Sequence, residues 1–212
     1  MRGWLAGILL AFTAAGAHSA SPHASLIEAA KNGDHETALA LIAQSNVNAT
    51  EPDGTTALHW AVYRDDAELV SKLIAAGARV NVRNEFGSTP MSEAAVVGNP
   101  VILEQLLKAG ADPDSANADG QTALMVIART NNVAAAKVLL KRGANVNAVE
   151  QWKGQTALMW AAAQSQPEMV RLLIKHGANV NARSKTNTWQ RQVTAEPRAQ
   201  VRPVGGFTPL LY

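Results

Sequence analysis

The sequence predicts an all-α solenoid of stacked helix–turn–helix units with projecting turn and hairpin loops. Three observations predict it. Gly54, Gly87, Gly120 and Gly154 recur at spacings of 33, 33 and 34 residues. Gly77, Gly110, Gly143 and Gly177 repeat the same three spacings in a second, fixed phase. Around them lie apolar residues at helical spacing, in units that cannot each bury an apolar face alone and so must stack.

Composition supports a folded chain. Hydrophobic residues make up 47% and charged residues 17%, a balance that favours a core over disorder. There is no cysteine, which excludes a disulfide framework, a zinc–thiolate site and a thiol nucleophile. The formal charge of +2 includes Arg2, so the chain without its leader stands at +1, a weak basis for nucleic-acid or anionic-membrane binding.

The elements follow in chain order. Residues 1–20 read as a signal peptide: Arg2 gives the positive start, and residues 5–17 are apolar and uncharged. Small residues around Ala15, Ala17 and Ser19 offer cleavage after Ala17 or Ser19. The alternative is an uncleaved membrane anchor, which the run of 13 residues is short for, since a bilayer takes about 20. The expected location is therefore periplasmic or secreted, with no membrane association after cleavage. Residues 26–48 carry a looser unit (Leu26-Ile27-Glu28-Ala29-Ala30-Lys31-Asn32-Gly33), as an N-terminal capping unit would.

Four fuller units come next. They open on Gly54-Thr55-Thr56-Ala57-Leu58-His59, Gly87-Ser88-Thr89-Pro90-Met91-Ser92, Gly120-Gln121-Thr122-Ala123-Leu124-Met125 and Gly154-Gln155-Thr156-Ala157-Leu158-Met159. They close on glycine, alanine and segments such as Asn145-Val146-Asn147-Ala148 and Asn179-Val180-Asn181-Ala182. These residues resemble the ankyrin repeat family, whose units begin G-x-T-P-L-H-x-A-A and end L-L-x-x-G-A-x-V-N-A. The resemblance covers residues 26–183, about five units with the first as a cap.

The residue chemistry of one unit agrees. Thr56, Thr89, Thr122 and Thr156 stand where a helix begins, and a threonine hydroxyl can cap a free backbone N–H. Pro90 follows at the first helical position, and Pro100 and Pro167 start second helices, where a missing N–H is harmless. Second helices show apolar pairs such as Leu69, Val70, Leu73, Ile74 and Met169, Val170, Leu173, Ile174. Gly77, Gly110, Gly143 and Gly177 are expected to end them in the left-handed conformation.

The period breaks after Arg183. Residues 184–205 form a basic loop insertion, with Lys185, Arg191, Arg198 and Arg202 against Glu196. It reads either as a plain surface loop or as a partner-binding loop anchored by Trp189. Residues 206–212 look like the start of a further, truncated unit, placed 52 residues after Gly154 and 19 beyond one period. The expectation is a fragment of a longer protein.

The family resemblance implies a protein partner held in a concave groove of first helices and turn tips. The variable position after the T-P-L-H pattern holds Trp60, Glu93, Val126, Trp160 and Tyr212. Tyr63, Arg64 and Arg129 follow in the next variable pair, and Trp152 sits on a tip lengthened by one residue. Together with Trp189 these are the candidate partner-binding residues, because aromatic and arginine side chains dominate interface energies. The alternative for Trp60 and Trp160 is packing across neighbouring units.

No catalytic residue, cofactor or metal site is expected. His59 matches a structural histidine of the family, and no H-E-x-x-H, G-x-S-x-G or phosphate-binding loop occurs. The function expected is that of an exported monomeric scaffold that binds another protein and no nucleic acid. The alternatives are the N-terminal recognition module of a larger exported enzyme, and an inhibitor or chaperone of an exported enzyme.

Overall fold

The computed structural model describes residues 25–187 and 204–209. Ten short α-helices form five antiparallel pairs among these residues. Unit one is α1 (Leu26–Asn32) and α2 (His35–Leu41), extended by a 3₁₀ turn at Ile42–Gln44. Unit two is α3 (Ala57–Tyr63) and α4 (Ala67–Ala75), and unit three is α5 (Pro90–Val97) and α6 (Pro100–Lys108). Unit four is α7 (Ala123–Thr130) and α8 (Val133–Lys141), and unit five is α9 (Ala157–Ala163) and α10 (Pro167–Lys175). A two-residue antiparallel ribbon pairs β1 (Thr186–Asn187) with β2 (Val204–Gly205).

The first helices pack in sequence, α1 on α3, α5, α7 and α9, and the second helices form a parallel layer beside them. The inner first helices α3, α5 and α7 bury most of their residues because both flanks meet another unit. In α7, residues 123–128 are all buried. Ala61, Ala94, Ala95 and Ala161 keep these helices close. Second helices bury only one stripe, as with Leu69, Val70 and Leu73. Ile174 departs from the expected packing and is 46% exposed. Its equivalents Leu107 and Leu140 are buried, and α10 has no second helix beyond it among the described residues.

Side chains cap eight of the ten described helix starts, the exceptions being α7 and α10. Thr56, Thr89 and Thr156 each accept the backbone N–H three residues on. Thr122 does not: Met125 N–H bonds to the Thr122 carbonyl at 3.1 Å, and the buried hydroxyl has no partner. Five further starts are capped by Ser25, Asp34, Asp66, Asn99 and Asn132, and α10 begins on Pro167 after Gln166 with no side-chain cap bond. Gly77, Gly110, Gly143 and Gly177 follow the second helices at φ between 86 and 89°, as expected. First helices turn out through Gly33 and Gly98, but also through Asp65, Asn131 and Ser165, all at positive φ.

Hydrogen bonds tie each unit to the next. Asn48 donates through Nδ2 to Gly77 O at 3.0 Å and accepts Arg79 N–H at 2.8 Å. Asn81 and Asn147 repeat both bonds one unit on. Asp114 holds the third of these four positions, between Asn81 and Asn147. It accepts Asn145 N–H at 2.8 Å but has no amide hydrogen for Gly143 O. Unit one is joined to unit two by His35, whose Nδ1 lies 2.6 Å from Asp66 Oδ2 with Glu68 at 3.6 Å from Nε2.

Two substitutions should therefore stabilise the stack. Asp114→Asn supplies the missing donor and is expected to add about 0.5–1 kcal/mol. Ser165→Gly relieves a left-handed residue whose exposed side chain anchors nothing; about 0.5–1 kcal/mol remains after the added unfolded-state entropy. Urea denaturation midpoints check both, and a fall in either would show that the local account is wrong.

The pH dependence of the first junction has a defined sign. The hydrogen bond to Asp66 raises the His35 pKa above its ordinary value. A raised pKa means stability that is complete below the unfolded value, about 6.5, and that disappears as pH rises through the folded one. The stability gap between the parent and His35→Gln should be larger near pH 6 than above about pH 8. A gap that does not vary with pH would remove His35 from the junction.

Candidate functional site

The face built from first helices and turn tips carries Trp60, Tyr63, Arg64, Glu93, Val126, Arg129, Trp152 and Trp160 of the predicted site residues. Backbone bonds close the tips, as from Asn84 N–H to Ser88 O at 3.0 Å with Gly87 N–H to Asn84 O at 2.9 Å, and from Asn117 N–H to Gln121 O with Gly120 N–H to Asn117 O, both at 3.0 Å. The Asn side chains brace these tips, Asn84 Oδ1 taking Ser88 N–H and Asn117 Oδ1 taking Asp119 and Gln121 N–H. Successive tips also touch, with Glu85 N–H on Asp53 O at 2.8 Å.

The tip of unit five has one extra residue and a glutamate where units three and four use asparagine. The buried Glu150 carboxylate accepts N–H groups from Trp152, Lys153 and Gln155 at 2.7, 2.8 and 2.9 Å. The added methylene reaches across the longer loop. Trp152 is left 73% exposed at its crown.

At the N-terminal end, Trp60, Tyr63 and Arg64 meet. Glu51 receives the Trp60 indole N–H at 2.7 Å and the Lys31 ammonium at 2.8 Å. Lys31 Nζ lies 5.1 Å from the Trp60 ring centre, and its pKa is raised by the hydrogen bond to Glu51. Tyr63 stands edge-on to Trp60 at 5.8 Å and is 57% exposed. Arg64 lies 5.9 Å from the Tyr63 ring and donates through Nε to Lys31 O at 2.9 Å. Trp60 is half-buried and packs on the core, so packing across units accounts for part of its surface and the rest is open.

Trp160 sits at the equivalent place in unit five. The Arg129 guanidinium lies 5.4 Å from its ring centre, and its buried indole N–H has no acceptor among the described residues. Glu150, the counterpart of Glu51, is occupied by the longer tip.

Glu93 and Val126 lie between these two clusters, on the walls of a groove of about 260 Å³ where units three and four meet. Glu93 is half-exposed, whereas Val126 is buried because its short side chain stays within the helix layer. The candidate residues therefore do not make one aromatic column. Trp189 and Tyr212 fall outside the described residues. Phe86 and Val96, 71% and 66% exposed, line the same groove, Phe86 from a turn tip and Val96 from the variable position that Tyr63 and Arg129 hold in their units.

His59 has the structural role expected of it. Its Nδ1 accepts Thr56 N–H at 3.2 Å and lies 2.9 Å from the Thr56 hydroxyl, and Nε2 faces Ser88 O at 3.4 Å. Burial lowers its pKa and holds it neutral. Among the described residues no three His, Asp or Glu side chains are grouped to hold a metal ion, and no helix is long and apolar enough to cross a membrane.

A family model described as ankyrin repeats (3 copies) matches residues 26–117 and again residues 93–184. No curated protein matches the chain. Ankyrin repeats are generally protein–protein interaction modules and are typically non-catalytic. The two matches together run through all five helix pairs, and the chain belongs to the ankyrin-repeat family.

Proposed function

We propose that this protein is an exported, monomeric scaffold that holds a protein partner on the face of its first helices and turn tips. The observation that carries the reading is the apolar surface that this face leaves open. Tyr63, Phe86, Val96 and Trp152 are each more than half exposed there. Large apolar side chains gathered on one face mark interaction sites, and aromatic ones dominate their energies. Trp60 and Trp160, each half-covered and flanked by a cation, add polar–aromatic edges to the same surface.

Export rests on the leader-like residues 1–20, and places the protein in the periplasm or outside the cell, or on a membrane if the leader is uncleaved. A second reading makes the repeats the N-terminal recognition module of a larger exported enzyme. It draws on the residues read as the start of a further unit at 206–212, and is supported by Ser184 N–H, which bonds to Phe207 O at 3.1 Å in the pattern of the earlier tips. Sequencing the gene beyond Tyr212 separates the two.

Partner capture from the periplasmic fraction tests the binding face. The pair Phe86→Ser and Trp152→Ser removes two exposed rings without opening the core, and capture is expected to weaken at least about tenfold. Undiminished capture by the folded variant would move the partner to another surface. For export, the mature N-terminus is expected after Ala17 or Ser19. Intact Met1 on cytoplasmic material would refute it.

A further inference from the structure

We infer that the groove between units three and four takes a Lys or Arg side chain next to an apolar residue, on an extended segment of the partner. This rests on the binding face proposed above and adds the chemistry that the face selects.

The inference starts from a donor and acceptor count. Ser88 Oγ–H donates to Glu93 Oε1 at 2.5 Å, and Ser92 Oγ–H donates to Thr89 O at 2.9 Å. Asn117 Nδ2 donates to Gln121 Oε1 at 3.2 Å, and Asn117 Oδ1 takes two backbone N–H groups. The side-chain hydroxyl donors of the lining are therefore engaged within it, and what is left to donate from its side chains is neutral amide hydrogen: one on Asn117 and those of Gln121. Not all of the acceptors are engaged. Glu93 keeps its second oxygen and Asp119 both of its own, and neither carboxylate has a basic partner within 4.0 Å among the described residues. Arg129, one turn along α7 from Val126, lies over Trp160 instead.

Apolar walls determine what these carboxylates need. Phe86, Val96, Val126, Ala118 and Ala123 line the same groove. A partner that covers Phe86 and Val96 also excludes water from Glu93 and Asp119. Burying an ionised carboxylate without a counter-charge is costly, and a basic side chain supplies both the charge and the donors. An acidic or purely apolar segment would leave that cost in place. Charge complementarity thus selects a basic residue, and the exposed ring and valine select its apolar neighbour.

The test uses the full chain and a displayed library of short random peptides. Enriched peptides are expected to carry Lys or Arg beside an apolar residue. A synthetic copy titrated calorimetrically should bind about tenfold more weakly to the double variant Glu93→Gln, Asp119→Asn. Binding should also weaken as salt is raised. Asp119→Asn alone lies on an exposed tip and keeps the test informative if the double variant unfolds. Glu168→Gln, a charge removal on α10, should leave affinity unchanged. Enriched peptides without basic residues, or equal binding by the folded charge variants, would overturn the inference. Phe86→Ser then separates the two levels. If it weakens those peptides, the binding face stands and only its charge preference falls; if it changes nothing, or no peptide is enriched, both fall.

Discussion

Every α-helix in the described chain has seven to nine residues. Isolated helices below about 12 residues are marginal in water, because forming the first turn costs more than so few bonds return. These helices exist only because each lies against the next unit. Burial of a leucine, isoleucine or methionine side chain is worth about 1.5–3 kcal/mol. Leu58, Leu73, Met91, Ile102, Leu103, Leu106, Leu124, Met125, Ile127, Leu139 and Leu158 are all essentially inaccessible. Stability is thus a property of the junctions. The asparagine bonds at Asn48, Asn81 and Asn147 act at these same junctions and fix the register of the stacking.

The same constraint decides where function can be placed. A first helix flanked on both sides has few positions that can vary without opening a junction. Alanine or a well-fitted apolar residue is required at most of the others. What remains are the position occupied by Trp60, Glu93, Val126 and Trp160, the helix ends, and the tips. The tips are braced by backbone bonds and by one side chain each, so their crowns carry Phe86 and Trp152 without any packing duty. Packing positions and open, variable positions are separated within one unit.

The period made the stacked helix pairs legible from sequence, and the glycine and capping residues placed their ends. Less local features were not legible. Thr122 looks identical to the other threonines in sequence, yet its hydroxyl is displaced by its own carbonyl. Asp65, Asn131 and Ser165 adopt positive φ, which no residue-type rule requires of serine. In the site, the pattern located Trp60 and Arg64. It could not show that Glu51 and Lys31 bind the indole, because that contact joins a tip, a first helix and the preceding unit. Val126 matched the variable position and is nonetheless buried, since exposure there depends on side-chain length as well as on position.

Glu51 and Glu150 show how a one-residue change in a tip alters what the adjacent helix can offer. Both stand at the same place in their units, and a tryptophan follows each on the next first helix. With the shorter tip, Asp53 accepts Thr55 N–H at 2.9 Å, and Glu51 is free to bond both Lys31 and the Trp60 indole. With the longer tip, three backbone N–H groups claim Glu150, and the Trp160 indole N–H goes without an acceptor. Trp60 is thereby held in one orientation, and ordering a side chain before binding reduces the entropy lost on association. Trp160 instead retains an unsatisfied donor, which costs about 1–3 kcal/mol wherever it stays dry. Two tryptophans at equivalent positions therefore present different chemistry, and loop length sets the difference.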